Sequence, residues 1–344
     1  MITLDPADTI LRPAEWVLPG HPDRLADAVA ERLVQAAFER DPMALCAIEV
    51  AVHRDRVYLT GRLACPGSRD LDLTALAREV YAAAGYGALW RPAPEELRVE
   101  GNLCLDELAD GEAEARHLSD DQCIVTGYAI DLPGMEWLPP EQWLARELGR
   151  ELTAVVRGPL QLCPDGKLLV VLEEFPPSAS PSKRSWRWRT VSASLLAPDE
   201  VDGIALHREV RARVQAVLRR ARQALPGLQD AEPEILVNPG GSFHVGGPEG
   251  DNGLSGKKLL LDFYGPRVPI GGGALAGKDR HKPDRNCVRI AREVALAVVR
   301  TGVADEATVT AITLPGDEAP RILRIATPKG DLAEPGLWSG VRRA

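Results

Sequence analysis

The stretch Gly250-Asp251-Asn252-Gly253-Leu254-Ser255-Gly256-Lys257-Lys258 decides how this chain is read. It is preceded by Asn238-Pro239-Gly240-Gly241 and Gly246-Gly247-Pro248. Gly271-Gly272-Gly273 through Gly277-Lys278-Asp279 and Lys282-Pro283-Asp284-Arg285 follow it. Glycines let main-chain N–H groups approach phosphate oxygens closely. The lysines supply point charges, and carboxylates such as Asp279 and Asp284 suit a divalent cation. From Ser255 to Arg289 there are eight Lys/Arg against three Asp, a local balance of +5 in a chain of net charge −9. A positive island in an acidic protein points to a small anion in a pocket, not to a nucleic-acid surface. The same residues also fit ordinary surface turns. A P-loop is excluded, because Asp279 follows Gly277-Lys278 where a hydroxyl is required.

A second anion-like element lies near the start. Gly20-His21-Pro22-Asp23-Arg24 opens a run with Leu25, Val29, Leu33 and Ala37 spaced four apart, one stripe of an amphipathic helix. Pro22 suits the first helical position, and Asp23 and Asp27 suit the positive end of the helix. Such a terminus is either an anion and metal site or simply a capped helix.

Two further motifs bring the total to five, and with them the chain resembles the S-adenosylmethionine synthetase (methionine adenosyltransferase) family. In order, they are Gly20-His21-Pro22-Asp23, Asp121-Gln122 with Gly127-Tyr128-Ala129, Pro164-Asp165-Gly166-Lys167, the Asn238–Lys258 region, and Gly271–Arg285. The resemblance runs from residue 15 to about 300, fades after Val309, and leaves a shorter tail than is usual in the family. It implies an α/β (α+β) fold of three similar α/β domains about a pseudo-threefold axis. The boundaries expected are 1–105, a mobile loop region 106–120, a central domain 121–230 and a C-terminal domain 231–344. It also implies transfer of the adenosyl group of ATP to the sulfur of methionine, with the released triphosphate split into pyrophosphate and phosphate.

Residue by residue, the resemblance implies that His21 hydrogen-bonds the departing 5′ oxygen, with Lys167 and Lys278 also catalytic. Lys167, Lys257, Lys258 and Lys278 would hold the triphosphate, with Asp165 near the ribose. Asp121 and Asp251 would face methionine or adenosine, and Lys282 the substrate carboxylate. Asp23 and Asp284 would bind Mg²⁺, Glu49 would bind K⁺, and Glu15 is another acid of the site. ATP and methionine would be the ligands. A homodimer or dimer of dimers with sites at the interface would be the assembly.

Several residues depart from the family pattern. Arg62 stands where a Glu lies near the substrate amino group, and Leu103 where a substrate-binding Gln is usual. Leu118-Ser119-Asp120 replaces Gly-Ala-Gly, Cys123 a glycine, Arg24 a Lys, and Lys257 an Arg. The triphosphate machinery is nearly intact, whereas the amino-acid pocket is altered. Methionine adenosyltransfer is the leading reading. The alternatives are a paralogue that serves another nucleophile or cleaves ATP to adenosine and triphosphate, and a non-catalytic ATP-binding regulator.

Composition fits a soluble globular protein, with 45% hydrophobic and 26% charged residues. Nothing approaches a membrane span, and Met1–Pro6 lacks the features of a signal peptide. Six cysteines without metal spacing read as reduced thiols in a cytoplasm. The spacing predicts a hairpin over Leu45–Leu63, helices over Leu73–Ala84, Asp199–Leu225 and Asn286–Arg300, and a loop over Glu95–Glu114. A strand pair is expected over Gln161–Glu173, turning at Pro164-Asp165-Gly166. In the insert 175–189, Trp186-Arg187-Trp188-Arg189 suits a strand with one apolar face, or base stacking.

Overall fold

Leu25, Val29, Leu33 and Ala37, the four-residue stripe read from the sequence, are each at most 1% exposed. They lie on the buried face of a helix whose first turn begins at Pro22. At roughly 1.5–3 kcal/mol per buried aliphatic side chain, that stripe ties the helix to the sheet beneath it. The computed structural model describes residues 9–175 and 184–333.

In chain order the elements are β1 (Ile10–Val17), α1 (Pro22–Arg40), β2 (Leu45–His53), β3 (Arg56–Ala64), α2 (Leu73–Ala84), β4 (Arg98–Asp106) and α3 (Glu112–Ala115). There follow β5 (Cys123–Ile130), α4 (Pro140–Val156), β6 (Gly166–Phe175), β7 (Ser185–Leu195), α5 (Gly203–Ala224) and β8 (Glu234–Val237). The last are β9 (Gly253–Leu254), α6 (Leu259–Asp262), α7 (Pro283–Arg300), β10 (Glu306–Thr313), β11 (Arg321–Thr327) and β12 (Gly330–Asp331). Among the described residues the strands form three four-stranded sheets, ordered β1-β6-β7-β8, β4-β3-β2-β9 and β12-β11-β10-β5. Each has its own apolar core: α4 and α5 pack on the first sheet, α1 and α2 on the second, α7 on the third. This is the mixed α/β architecture of three sheet-and-helix units.

The sheets do not follow consecutive blocks of chain. β1 pairs antiparallel with β6 from Ile10↔Glu174 to Val17↔Lys167, β5 pairs with β10, and β9 joins β2. Each of the blocks 1–105, 121–230 and 231–344 therefore lends a strand to a sheet centred on another. This interleaving brings Gly253–Ser255 to the N-terminus of α1.

Most predicted elements are present. The hairpin turns between His53 and Arg56, and α2 ends at Gly85 in the left-handed region, φ 113°. Two expectations are corrected. Within Glu95–Glu114, residues 98–106 form β4, parallel to β3, because Val99, Leu103 and Leu105 alternate onto one face. Within Gln161–Glu173 only β6 is a strand. Pro164 offers no N–H to a ladder, and β1 takes the place of the expected partner. Trp186 and Trp188 are buried at 4% and 1%, while Arg187 and Arg189 pair with Glu173, so the Trp–Arg alternation is a strand facing a core. Residues 176–183 of the insert lie outside the described residues.

Candidate active site

His21 caps α1, and its Nδ1 accepts the Asp23 N–H at 3.2 Å. With Nδ1 occupied as acceptor, the neutral ring carries its proton on Nε2. Burial lowers the His21 pKa below its ordinary value, outweighing the nearby carboxylates of Asp165 and Asp23.

Asp23 is 1% exposed, yet two lysines and a backbone N–H meet it. Lys258 Nζ lies 2.8 Å from Oδ2, Lys257 Nζ 3.7 Å from Oδ1, and Leu254 N–H donates to Oδ1 at 3.0 Å. Burial alone would raise the Asp23 pKa, but Lys258 first, then the Leu254 N–H and His21, bring it below the usual carboxylate value. The approach of β9 requires glycine: a Cβ on Gly253 would stand 2.1 Å from Pro22 O. One turn along α1, Asp27 accepts Gly256 N–H at 2.7 Å and Arg24 at 3.2 Å. Burial still pushes its pKa up to about 6.

Asp165 enters from the loop before β6 and accepts Gly247 N–H at 2.8 Å. Burial raises its pKa, and Asp251 stands close enough to act on both Asp165 and His21. Gly247 packs against Tyr86, whose hydroxyl donates to Gly20 O at 2.7 Å. Glu49, on β2, accepts from Ser255 Oγ at 3.0 Å. Lys167 pairs with Glu15 at 3.1 Å across β6 and β1.

A second group gathers at the N-terminus of α7. Lys278 Nζ lies 2.6 Å from Asp284 Oδ2, and a Cβ on Gly273 would meet Asp284 Oδ1 at 1.8 Å, so the glycine run forms the cradle of that carboxylate. Lys282 Nζ pairs with Asp120 at 2.6 Å, next to Asp121, which accepts Gln122 N–H. Gln122, Cys123, Gly272, Gly273, Asp284 and Thr313 line a cavity of about 520 Å³. The fold thus gathers His21, Asp23, Asp165, Asp251, Lys257 and Lys258 in one group and Lys278, Lys282, Asp284 and Asp121 in another. No described ion pair joins the two groups.

Two residues differ from their sequence reading. Asp279, read as a divalent-cation carboxylate, is 0% exposed. Its oxygens are occupied by Arg116 and by the N–H groups of Cys46, His281 and Lys282, so it is structural. Arg62 is not a bare cation. It grips Glu112 with two bonds of 2.7 and 2.9 Å and Asp106 at 3.1 Å. The Arg62 hydrogen bonds lower the Glu112 pKa to about 2.

Sequence reasoning missed Asp120, Glu112 and Tyr86 as neighbours of these groups, and it read Asp27 only as a favourable first-turn acid. Asp27 had a further signal, standing four residues after Asp23 on one helix face; Tyr86 had none.

Residues 9–94 match the family model "S-adenosylmethionine synthetase, N-terminal domain", and residues 245–332 match "S-adenosylmethionine synthetase, C-terminal domain". The second match carries the likeness well past Val309, where the motifs had faded. Among curated relatives, the S-adenosylmethionine synthase of Paramagnetospirillum magneticum is 31% identical over 306 residues, spanning 86% of this chain and 75% of that protein. Those of Corynebacterium glutamicum and Prochlorococcus marinus (strain NATL1A) are 32% and 33% identical, with the same coverage. The chain therefore belongs to the S-adenosylmethionine synthetase family.

Proposed function

We propose that this protein is a methionine adenosyltransferase, converting ATP, L-methionine and water to S-adenosylmethionine, phosphate and pyrophosphate. The observation that carries the reading is the convergence of His21, Asp23, Asp165, Lys257 and Lys258 at one helix N-terminus, in a chain of this family.

The methionine sulfur attacks C5′ of ATP with its lone pair, and the C5′–O bond breaks with its electrons on the departing triphosphate. Water then splits that triphosphate. Neutralising the leaving group is the largest demand. Lys257, Lys258, Lys167 and Lys278 meet it as donors to the phosphate oxygens. Neutral His21, with its proton on Nε2, donates to the 5′ oxygen as charge develops there. Asp165 holds the ribose side. Asp121, Asp251 and Lys282 orient the amino acid for in-line attack. Arg62, tied to Glu112 and Asp106, does not confront the substrate ammonium as an uncompensated charge.

Asp23 and Asp284 fit Mg²⁺ of the kind that takes one or two protein carboxylates and fills its shell from phosphates and water. The described residues hold no cluster of three metal-ligating side chains that would make an all-protein cage. Bound with the nucleotide, Mg²⁺ would stabilise charge on the triphosphate. Glu49, with Ser255 beside it, is the residue for K⁺.

The working unit is a homodimer, alone or paired again. Each sheet carries its helices on one face. On strands, Tyr58, Leu169, Leu236 and Leu323 project the other way, exposed by 45%, 38%, 36% and 53%. Lys167, two residues from Leu169, shares the open face of β6, and Glu49 and Arg62 share that of the second sheet. A second copy laid on these faces would cover apolar surface and site together, joining the two residue groups across subunits. No helix among the described residues is long and apolar enough to cross a membrane.

The test is incubation with ATP, Mg²⁺ and methionine, followed by product analysis. S-adenosylmethionine with phosphate and pyrophosphate is expected. Adenosine plus triphosphate without the sulfonium, or ATP bound without cleavage, would replace this reading by the paralogue or the regulator.

A further inference from the structure

The segment between β4 and β5 is fastened to the loop that carries Lys278 and Lys282. Arg116, 7% exposed, sends Nη2 to Ala44 O at 2.9 Å and forms an ion pair with Asp279. Asp279, with no exposed surface, lies between the two lysines in sequence. Its side chain accepts the N–H of His281 at 2.8 Å and of Lys282 at 3.3 Å on one oxygen and Cys46 N–H at 2.8 Å on the other. One carboxylate therefore shapes the turn from Lys278 to Lys282 and fixes it to β2, helped by Asp279 N–H to Cys46 O at 3.1 Å.

Two further pairs flank the joint. Arg62 holds Glu112, and Asp120 holds Lys282. Ser119 N–H bonds to Asp317 O at 2.8 Å, and Leu118-Ser119-Asp120 contains no glycine to serve as a hinge. Separating Arg116 from Asp279 would leave a buried carboxylate without its counter-charge, a costly state.

We propose that Arg116 is a positioning residue for the adenosyltransfer site: through Asp279 it sets the placement of Lys278 and Lys282, making segment 112–120 a fixed wall of that site. The inference rests on the proposed function, because it assigns the two lysines to the triphosphate and the amino acid.

Inorganic tripolyphosphate is the probe, with binding measured by calorimetry on the full-length protein before any variant is made. Absence of binding by the parent protein would count against the functional reading itself. With the parent binding, Arg116→Gln is expected to weaken tripolyphosphate at least tenfold and to lower kcat with native far-ultraviolet dichroism. Arg116→Lys, which keeps the charge but not the planar fork, should recover part of both. Arg116→Gln with Asp279→Asn, which removes both buried charges, should cost less than the sum of the single changes. A lowered melting temperature with kcat and tripolyphosphate affinity within twofold of the parent would overturn the proposal and leave Arg116 a purely structural residue. Should Arg116→Gln fail to fold, Arg116→Lys is judged by the same two readouts.

Discussion

Asp23 and Lys258 meet at 2.8 Å beneath the first turn of α1, although 231 residues separate Asp23 from the Leu254 N–H that shares its carboxylate. The pair is the joint between the His21 cap and the glycine-rich segment. Truncating the lysine leaves a buried carboxylate with Lys257 at 3.7 Å as its nearest remaining cation. Lys258→Ala is therefore expected to lower kcat/KM by about 10²-fold or more, the scale of losing a charge-stabilising donor. Steady-state kinetics beside dichroism checks this, and activity within threefold of the parent would remove Lys258 from the site.

The Asp284 carboxylate leaves no room for a side chain at Gly273, where a methyl group would stand 1.8 Å from Oδ1. Gly273→Ala should push Asp284 away from Lys278 and abolish most turnover while the fold persists. Lys278→Ala should do the same by removing the other half of the pair. Normal turnover in Gly273→Ala would mean that the Asp284–Lys278 geometry does not matter.

Asp27 gives a pH dependence with a definite sign. Burial raises its pKa from 3.8 to about 6, so folding favours the protonated form. That contribution is complete below pH 3.8 and is lost as pH rises through about 6. Asp27→Asn keeps an acceptor for Gly256 N–H and cannot ionise. Relative to the parent it should gain stability between pH 4 and pH 7, on the order of 1–3 kcal/mol. Denaturant titrations across this range test it. A stability difference independent of pH would contradict the assignment.

Arg62, Glu112 and Asp106 form a partly exposed triad, with relative side-chain exposures of 31%, 30% and 43%. Solvent screening keeps its worth small, so Arg62→Ala should cost about 1 kcal/mol. The exchange Arg62→Glu with Glu112→Arg should recover stability that Arg62→Glu alone loses. Additive losses in that double-mutant cycle would show that the two side chains do not interact in solution.

Leu169 lies on the open face of its sheet beside Lys167. In the proposed homodimer, Leu169→Glu should separate the subunits, as read by light scattering, and remove activity in proportion. An active monomer would refute sites shared between subunits.

Much of the candidate site was legible because its chemistry is written in short motifs. A glycine beside a lysine or an acid at fixed spacing survives divergence between motifs, and the helix of His21-Pro22-Asp23 announces itself by its cap and its four-residue stripe. Arg62 shows where reading by position stops. The sequence places a cation where an acid was expected, but not the two carboxylates, forty-four and fifty residues away, that neutralise it. Asp279 likewise reads as a ligand by composition and becomes structural through burial.

The sequence by itself determined helices α1, α2, α5 and α7, the hairpin of β2 and β3, the anionic ligand class and the family, because local periodicity, caps and motif spacing act within a few residues along the chain. The tertiary structure alone decided that β1 completes the sheet of β6, that β9 lies against α1, and that Arg116 reaches Asp279. Those outcomes depend on which strand edges and buried charges find partners across more than a hundred residues, and no local propensity encodes that choice.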